Sequence, residues 1–328
     1  METFLFADFL GKPAWMWLAF ISVVFALLAF DLGVLHRKSK EIDVAESLLL
    51  SAAYISLGLL FGAWVWWYLG AQSGIEYLTG FAIEKTLAMD NVFIIAVIFT
   101  YFSIPRVYQH RVLFWGVLGV IVLRGIMIGI GAPLVENYSW ILYVFAVFLI
   151  VTGIKMMWVG DQGSDLSSNP VLVWMKRRFN VTEELHGDKF FIKKIDPATG
   201  QESSFITPLF LSLVLIEFAD VIFAVDSVPA IFLITTDPFI VYTSNIFAIL
   251  GLRALYFALA AMVNRFKYLK YALSVLLIFI GSKIFIAWAM GWDKFPPAWS
   301  LGITVAILLI GVLYSLWRTR DSSLKMPA

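Results

Sequence analysis

The chain contains no cysteine, which excludes disulfides, thiolate metal sites and cysteine nucleophiles. Charge is also scarce. Only 14% of the 328 residues are charged while 61% are hydrophobic, against about 25% and about 45–50% in soluble globular domains. The three histidines, His36, His110 and His186, all fall in polar segments. A zinc or soft-metal site inside the apolar stretches is thereby disfavoured, and oxygen ligands remain. No P-loop occurs, so any transport is secondary or passive, and no HEXXH metalloprotease motif or convincing nucleophile points to an enzyme. A net charge of +1 gives no footprint for nucleic acid.

What the chain has instead is long apolar runs. A helix needs about 20 apolar residues to cross bilayer hydrocarbon. Nine candidates are read, at 14–35, 46–70, 78–101, 109–131, 138–159, 205–235, 239–262, 268–290 and 298–317. The expected fold is an all-α polytopic membrane protein, residues 1–328 forming one transmembrane domain. With the N-terminus outside, 17 of the 24 basic residues fall in inner loops, and only Lys12 and Lys294 in outer ones. That bias places the C-terminus in the cytoplasm. The one sizeable polar segment, 160–204, is then a cytoplasmic loop, and KFFIKKIDPATGQESSF within it reads as a β-hairpin.

Six acids interrupt the apolar runs: Asp31, Glu84, Asp90, Glu217, Asp220 and Asp226. An ionised carboxylate in lipid is costly and normally faces a partner, an ion or a water path. The acids fall in two motifs, EKTLAMDNVF and EFADVIFAVDSVP, each with an acid six residues before an aspartate. The surrounding landmarks also repeat. LAMDNV matches FAVDSV, LRG at Leu123–Gly125 matches LRA at Leu252–Ala254, and GIK at Gly153–Lys155 matches GSK at Gly281–Lys283. Spans three to five therefore repeat as spans six to eight. A three-span unit re-enters from the opposite side, giving an inverted repeat with its site near the midplane.

Carboxylates gathered at low dielectric repel unless bases or a divalent cation neutralise them. Asn91 and Asn245 add neutral oxygens. Arg124 and Arg253 occupy matched positions and are read as forks that orient the acids, with anion binding as the competing role. Lys283 sits deep enough to pair with an acid, whereas Lys155 snorkels to the inner face. Asp31 is either a gate residue or an ordinary helix-end acid. Pro208 and Pro229 leave span six either broken near its acids or tilted. The alternative to a cation site is that these acids and bases only hold helices together.

With EKTLAMDNVF, EFADVIFAVDSVPAIF, TTDPFIV and TSNIFAILGLRALYF in view, the chain resembles the TerC family of bacterial membrane proteins, in its Alx branch, from Asp31 to Lys283. The resemblance implies a manganese exporter of the bacterial inner membrane. Mn²⁺ is then the transported ion, protons are a candidate counter-ion, and no organic cofactor is expected. Its acidic positions carry over to Asp90 with Asn91, to Asp226, and to Glu84, Glu217 and Asp220 beside them. Plant relatives act in thylakoid biogenesis, so a membrane-protein insertion or assembly factor is the second functional class.

Overall fold

A computed structural model describes residues 5–30, 44–158, 169–195, 200–260, 268–292 and 295–320, with the side chains of Val44, Met89, Asp90, Phe93, Leu259, Ala260 and Arg320 outside the description. A short hairpin, β1 (Asp8–Phe9) and β2 (Lys12–Pro13), leads into α1 (Ala14–Phe30). There follow α2 (Val44–Leu69), α3 (Ala71–Tyr101), α4 (Arg106–Asn137), α5 (Ile141–Trp158) and the short α6 (Pro170–Arg178). Strands β3 (Phe191–Ile195) and β4 (Glu202–Ile206) pair antiparallel, and the chain re-enters the bundle as α7 (Pro208–Phe232). The remainder is α8 (Pro238–Leu250), α9 (Leu252–Ala260), α10 (Leu269–Ala289) and α11 (Pro297–Arg320).

Among the described residues, seven stretches are long and apolar enough to cross a membrane: α2, α4, α5, α7, α8 with α9, α10 and α11. The two other expected spans fall short for separate reasons. The described part of α1 has 17 residues. The 31-residue α3 is long enough, but Glu76, Glu84, Lys85 and Asp90 lower its hydropathy. The surface is apolar where a membrane would touch it. On α4, Val122, Ile126 and Ile130 are 61%, 54% and 67% exposed, while Arg124 on the opposite side is 1% exposed. A soluble helix has the reverse polarity.

Helix α7 is continuous, so span six is not broken near its acids. Pro208 sits in its first turn, where no amide is needed, and Pro229 lies in its last turn. The interruption falls in span seven instead. α8 ends at Leu250, Gly251 takes φ −83° and ψ 1°, and α9 begins at Leu252. Just before this turn, the carbonyl of Ala248 accepts a 3.0 Å bond from buried Lys85 Nζ. A Cβ on Gly251 would lie 2.8 Å from that ammonium and 3.0 Å from Tyr54 Cβ, so a larger residue would displace Lys85 from its bond. Nearly every residue of α8 is buried, which makes it the centre of the bundle.

α5 packs directly on α10, and two glycines set the approach. A Cβ on Gly153 would fall 2.7 Å from the Ser274 carbonyl oxygen and 2.8 Å from Ile278 Cγ1. One on Gly281 would fall 2.5 Å from the Ala146 carbonyl oxygen and 2.8 Å from Ile150 Cγ1. Each residue on α5 and its counterpart on α10 are 128 positions apart. The contact is therefore reciprocal, as a two-fold relation between the helices requires. Small residues let helix backbones approach closely in lipid, where apolar burial against another helix gains little.

Candidate functional site

Four helices converge on one guanidinium. Arg124 of α4 points inward from a helix whose other face is apolar, and it meets Glu84 of α3 at 2.6 Å. Its second terminal nitrogen lies 3.2 Å from Asp220 Oδ1 on α7. The first also donates to Ser227 Oγ on α7 at 3.0 Å and to Asn245 Oδ1 on α8. Asn245 Nδ2 then donates to Glu84 Oε2 at 3.4 Å, and Asn91 Nδ2 to Asp220 Oδ1 at 3.3 Å. Glu84 and Asn245 are fully buried, and Asp220 and Asn91 nearly so. A charge in lipid persists only with such partners. The fork of Arg124 supplies two carboxylates at once, which a lysine ammonium would not do with the same directionality.

The network leaves oxygens over. Asn91 Oδ1 and Glu217 Oε2 are buried with no hydrogen-bond partner among the described residues. Both flank Asp220, whose charge reaches Glu217 three residues earlier on α7. Glycines on α4 make room for that carboxylate. A Cβ on Gly119 would come within 2.2 Å of Glu217 Oε1, and one on Gly116 within 3.8 Å. A cavity of about 20 Å³, with Asn91, Asp220 and Arg253 as its polar borders and otherwise mostly apolar walls that include Val117, Ile216 and Phe223, opens beside Asn91 and Asp220. That is room for one water-sized guest. Arg253, on α9, is 5% exposed and borders the same space.

The structure gathers Glu84, Asn91, Arg124, Asp220 and Asn245 at the centre, with Glu217 and Arg253 at its edge. Asp226 is not brought to this centre. It lies a turn and a half further along α7, half-buried against Thr152 of α5. Asp90 stands on α3 next to Asn91, with its side chain outside the description, and Asp31 lies outside the described residues. Among the described residues no three acid or histidine side chains converge into a group able to hold a metal. The arginine occupies the space between two of the acids.

Two functional-looking residues escaped sequence reasoning. Lys283 of α10 donates to Ser300 Oγ at 3.3 Å and lies within electrostatic reach of Glu76, an acid not counted among the six. Helix α3 begins at Ala71 rather than near 78, which draws Glu76 well into the bundle. The available signal was Gln72, four residues earlier, whose amide donates to Glu76 Oε1 at 2.7 Å. Lys85 is the second, as the cap on the turn at Gly251.

Among the described residues, seven long apolar stretches around a buried charge network define a polytopic integral membrane protein. The chain belongs to the TerC family: the family described as Integral membrane protein TerC family matches residues 69–323. It is 47% identical to an uncharacterized membrane protein of Rickettsia bellii over 302 residues, covering 92% of this chain and 97% of the relative. It is 43% identical to an uncharacterized membrane protein of Myxococcus xanthus over 322 residues, 98% and 97% of the two chains. The protein of Photorhabdus laumondii named putative membrane-bound redox modulator Alx is 44% identical over 316 residues, 94% and 96% of the two chains. No solved structure matches.

Proposed function

We propose that this protein is a secondary transporter that moves a divalent cation, Mn²⁺ foremost, out of the bacterial cytoplasm across the inner membrane. The carrying observation is the set of unsatisfied buried oxygens on Asn91 and Glu217 that flank Asp220 beside a small cavity. Carboxylate and amide oxygens without donors are what a hard cation seeks. In this reading Arg124 is the resting counter-charge of Glu84 and Asp220. The arriving cation takes over part of that role, and Asp90, on the same helix, joins the ligands. Proton exchange follows the same logic, since carboxylates release protons when metal binds.

The reciprocal packing of Gly153 and Gly281 supports an inverted repeat with α3 to α5 as one unit and α7 to α10 as the other. The network joins two helices of each unit. On this reading α1 and α3 also cross, making nine spans, with the N-terminus outside. The Alx relatives are named redox modulators. This chain has no cysteine, so thiol exchange is not its chemistry. Arg124 bridging two acids is also what a purely structural anchor does, so the test must separate the two.

Everted membrane vesicles loaded with Asp220→Asn or Asn91→Ala protein are compared with the parent for Mn²⁺, Mg²⁺, Ca²⁺ and Zn²⁺ uptake at two pH values. Mn²⁺ uptake is expected to fall at least tenfold with membrane abundance unchanged. Uptake at parental rate in both variants leaves only the structural role.

A further inference from the structure

A second polar cavity, of about 310 Å³, lies at the end of the bundle opposite the β3–β4 hairpin. It is bounded by the start of α3, the end of α7, the end of α10 and the start of α11. Ile83, Ala230, Leu277 and Ile280, on the same α3, α7 and α10, pack into one buried apolar cluster. Glu76 and Glu84 lie eight residues apart on α3, about 12 Å along the axis, so the cavity begins roughly two turns from the central acids.

The walls of this cavity carry charges of opposite sign that do not touch. Glu76 is 7% exposed and lines the cavity, and Gln72 donates to its Oε1 at 2.7 Å. Lys283, 4% exposed, spends its ammonium on Ser300 Oγ, and among the described residues no carboxylate lies within ion-pair distance of it. Burying an unpaired carboxylate and an unpaired ammonium is costly unless the space between them holds polar matter. The hydroxyls of Thr79 and Thr235 add oxygens to the acid's side. The α7 helix ends at Phe232 against the same space, presenting the negative end of its dipole. A hydrated cation fits the acid's side, and the ammonium opposite weakens its hold.

We propose that this cavity is a second cation station, with Glu76 as its charged ligand and Lys283 as the charge that keeps occupancy brief. The proposal rests on the transport reading above and assigns the station to the exit side. A cation leaving the centre pauses in hydrated form at Glu76 and is released because the lysine repels it. Transport needs sites that are weak enough to leave, and a built-in like charge provides this without altering the central ligands.

The absence of cysteine makes the test clean. Thr236, exposed at the rim, is replaced as Thr236→Cys in the full-length protein in vesicles. Its reaction with a bulky, uncharged, membrane-impermeant maleimide is timed from outside, with and without Mn²⁺. Labelling is expected to slow at least fivefold with Mn²⁺, and the protection to vanish when Glu76→Gln is added. Lys283→Gln is expected to lower the half-protecting Mn²⁺ concentration at least tenfold. The series is repeated with Asp220→Asn, so that protection reads the outer station alone while Mn²⁺ uptake by that variant reads the central site alone. Labelling only from the cytoplasmic face overturns the exit-side assignment; no labelling from either face, no protection in any variant, or protection that survives Glu76→Gln overturns the station, whatever the central site does.

Discussion

At the scale of single residues, Arg124 decides what the centre of this molecule is. Its guanidinium neutralises Glu84 and Asp220, which have almost no water to share. Removing one member of a buried ionic set leaves the others uncompensated and costs about 3–5 kcal/mol. Arg124→Gln is therefore expected to lower the melting temperature of the detergent-purified protein. Mn²⁺ is expected to restore part of the loss, because a ligand of the folded state stabilises it by mass action. A melting temperature unchanged by the substitution would show that the guanidinium is not the counter-charge and would turn attention to an anionic substrate. Much of this centre was legible in the sequence, since charged residues in apolar runs are conspicuous. Glu84, Asp220, Asn91, Asn245 and Arg124 were each visible as such. Their mutual distances were not, because nothing in local spacing says which acid a fork on another helix will take. Asp226 shows the limit. Its matched motif position placed it with Asp220, but six residues on a helix is about 600°, so the two point to different sides. Glu76 was missed because the apolar run starts after it, although the helix does not.

At the scale of elements, two glycine-dependent features shape the bundle. The α5–α10 contact brings backbone against backbone at Gly153 and Gly281, and overpacking a tight site costs about 1–3 kcal/mol. Gly153→Val and Gly281→Val are expected to destabilise the protein to a similar degree, since their contacts mirror each other. Thermal melts of the two variants check this. A large loss for one and none for the other would mean that the two ends of the contact are not equivalent. The GIK and GSK triplets drew attention to these glycines as repeat markers, yet their use as contact points appears only in three dimensions. The turn at Gly251 had a weaker signal. One glycine in an apolar run is tolerated within a helix at a cost of about 1 kcal/mol, so sequence alone favours continuity. The Lys85 bond to the Ala248 carbonyl beside the turn appears only in three dimensions. The prolines of α7 left a break open in sequence, and the helix has none. Both stand where a helix loses little by them, in the first and last turns.

At the scale of the whole molecule, the direction of the chain through the membrane decides which side the Glu76 cavity faces, and with it the direction of the proposed transport. The hairpin docks on the start of α7, where Phe191 and Phe210 rings lie 4.5 Å apart, and on α4 through the Arg111–Asp188 pair. A polar cavity of about 420 Å³ bordered by Arg106, Gln109 and Tyr256 opens at this same end. The opposite end carries the Glu76 cavity and the Lys12–Asp237 pair, at 2.8 Å. The basic residues Arg106, Arg111, Lys176, Arg177, Arg178, Lys189, Lys193 and Lys194 all belong to the hairpin end, and loops rich in Lys and Arg stay in the cytoplasm. A reporter active only in the cytoplasm, inserted at Gly187 in the turn before β3, is therefore expected to be active, as is one fused to the C-terminus. A periplasm-specific reporter before Lys12 is expected to be active as well. If the Gly187 reporter instead works only in the periplasm, the hairpin end faces outward. The Glu76 station would then be an entry site on the cytoplasmic side, and export through it would have to be read in reverse.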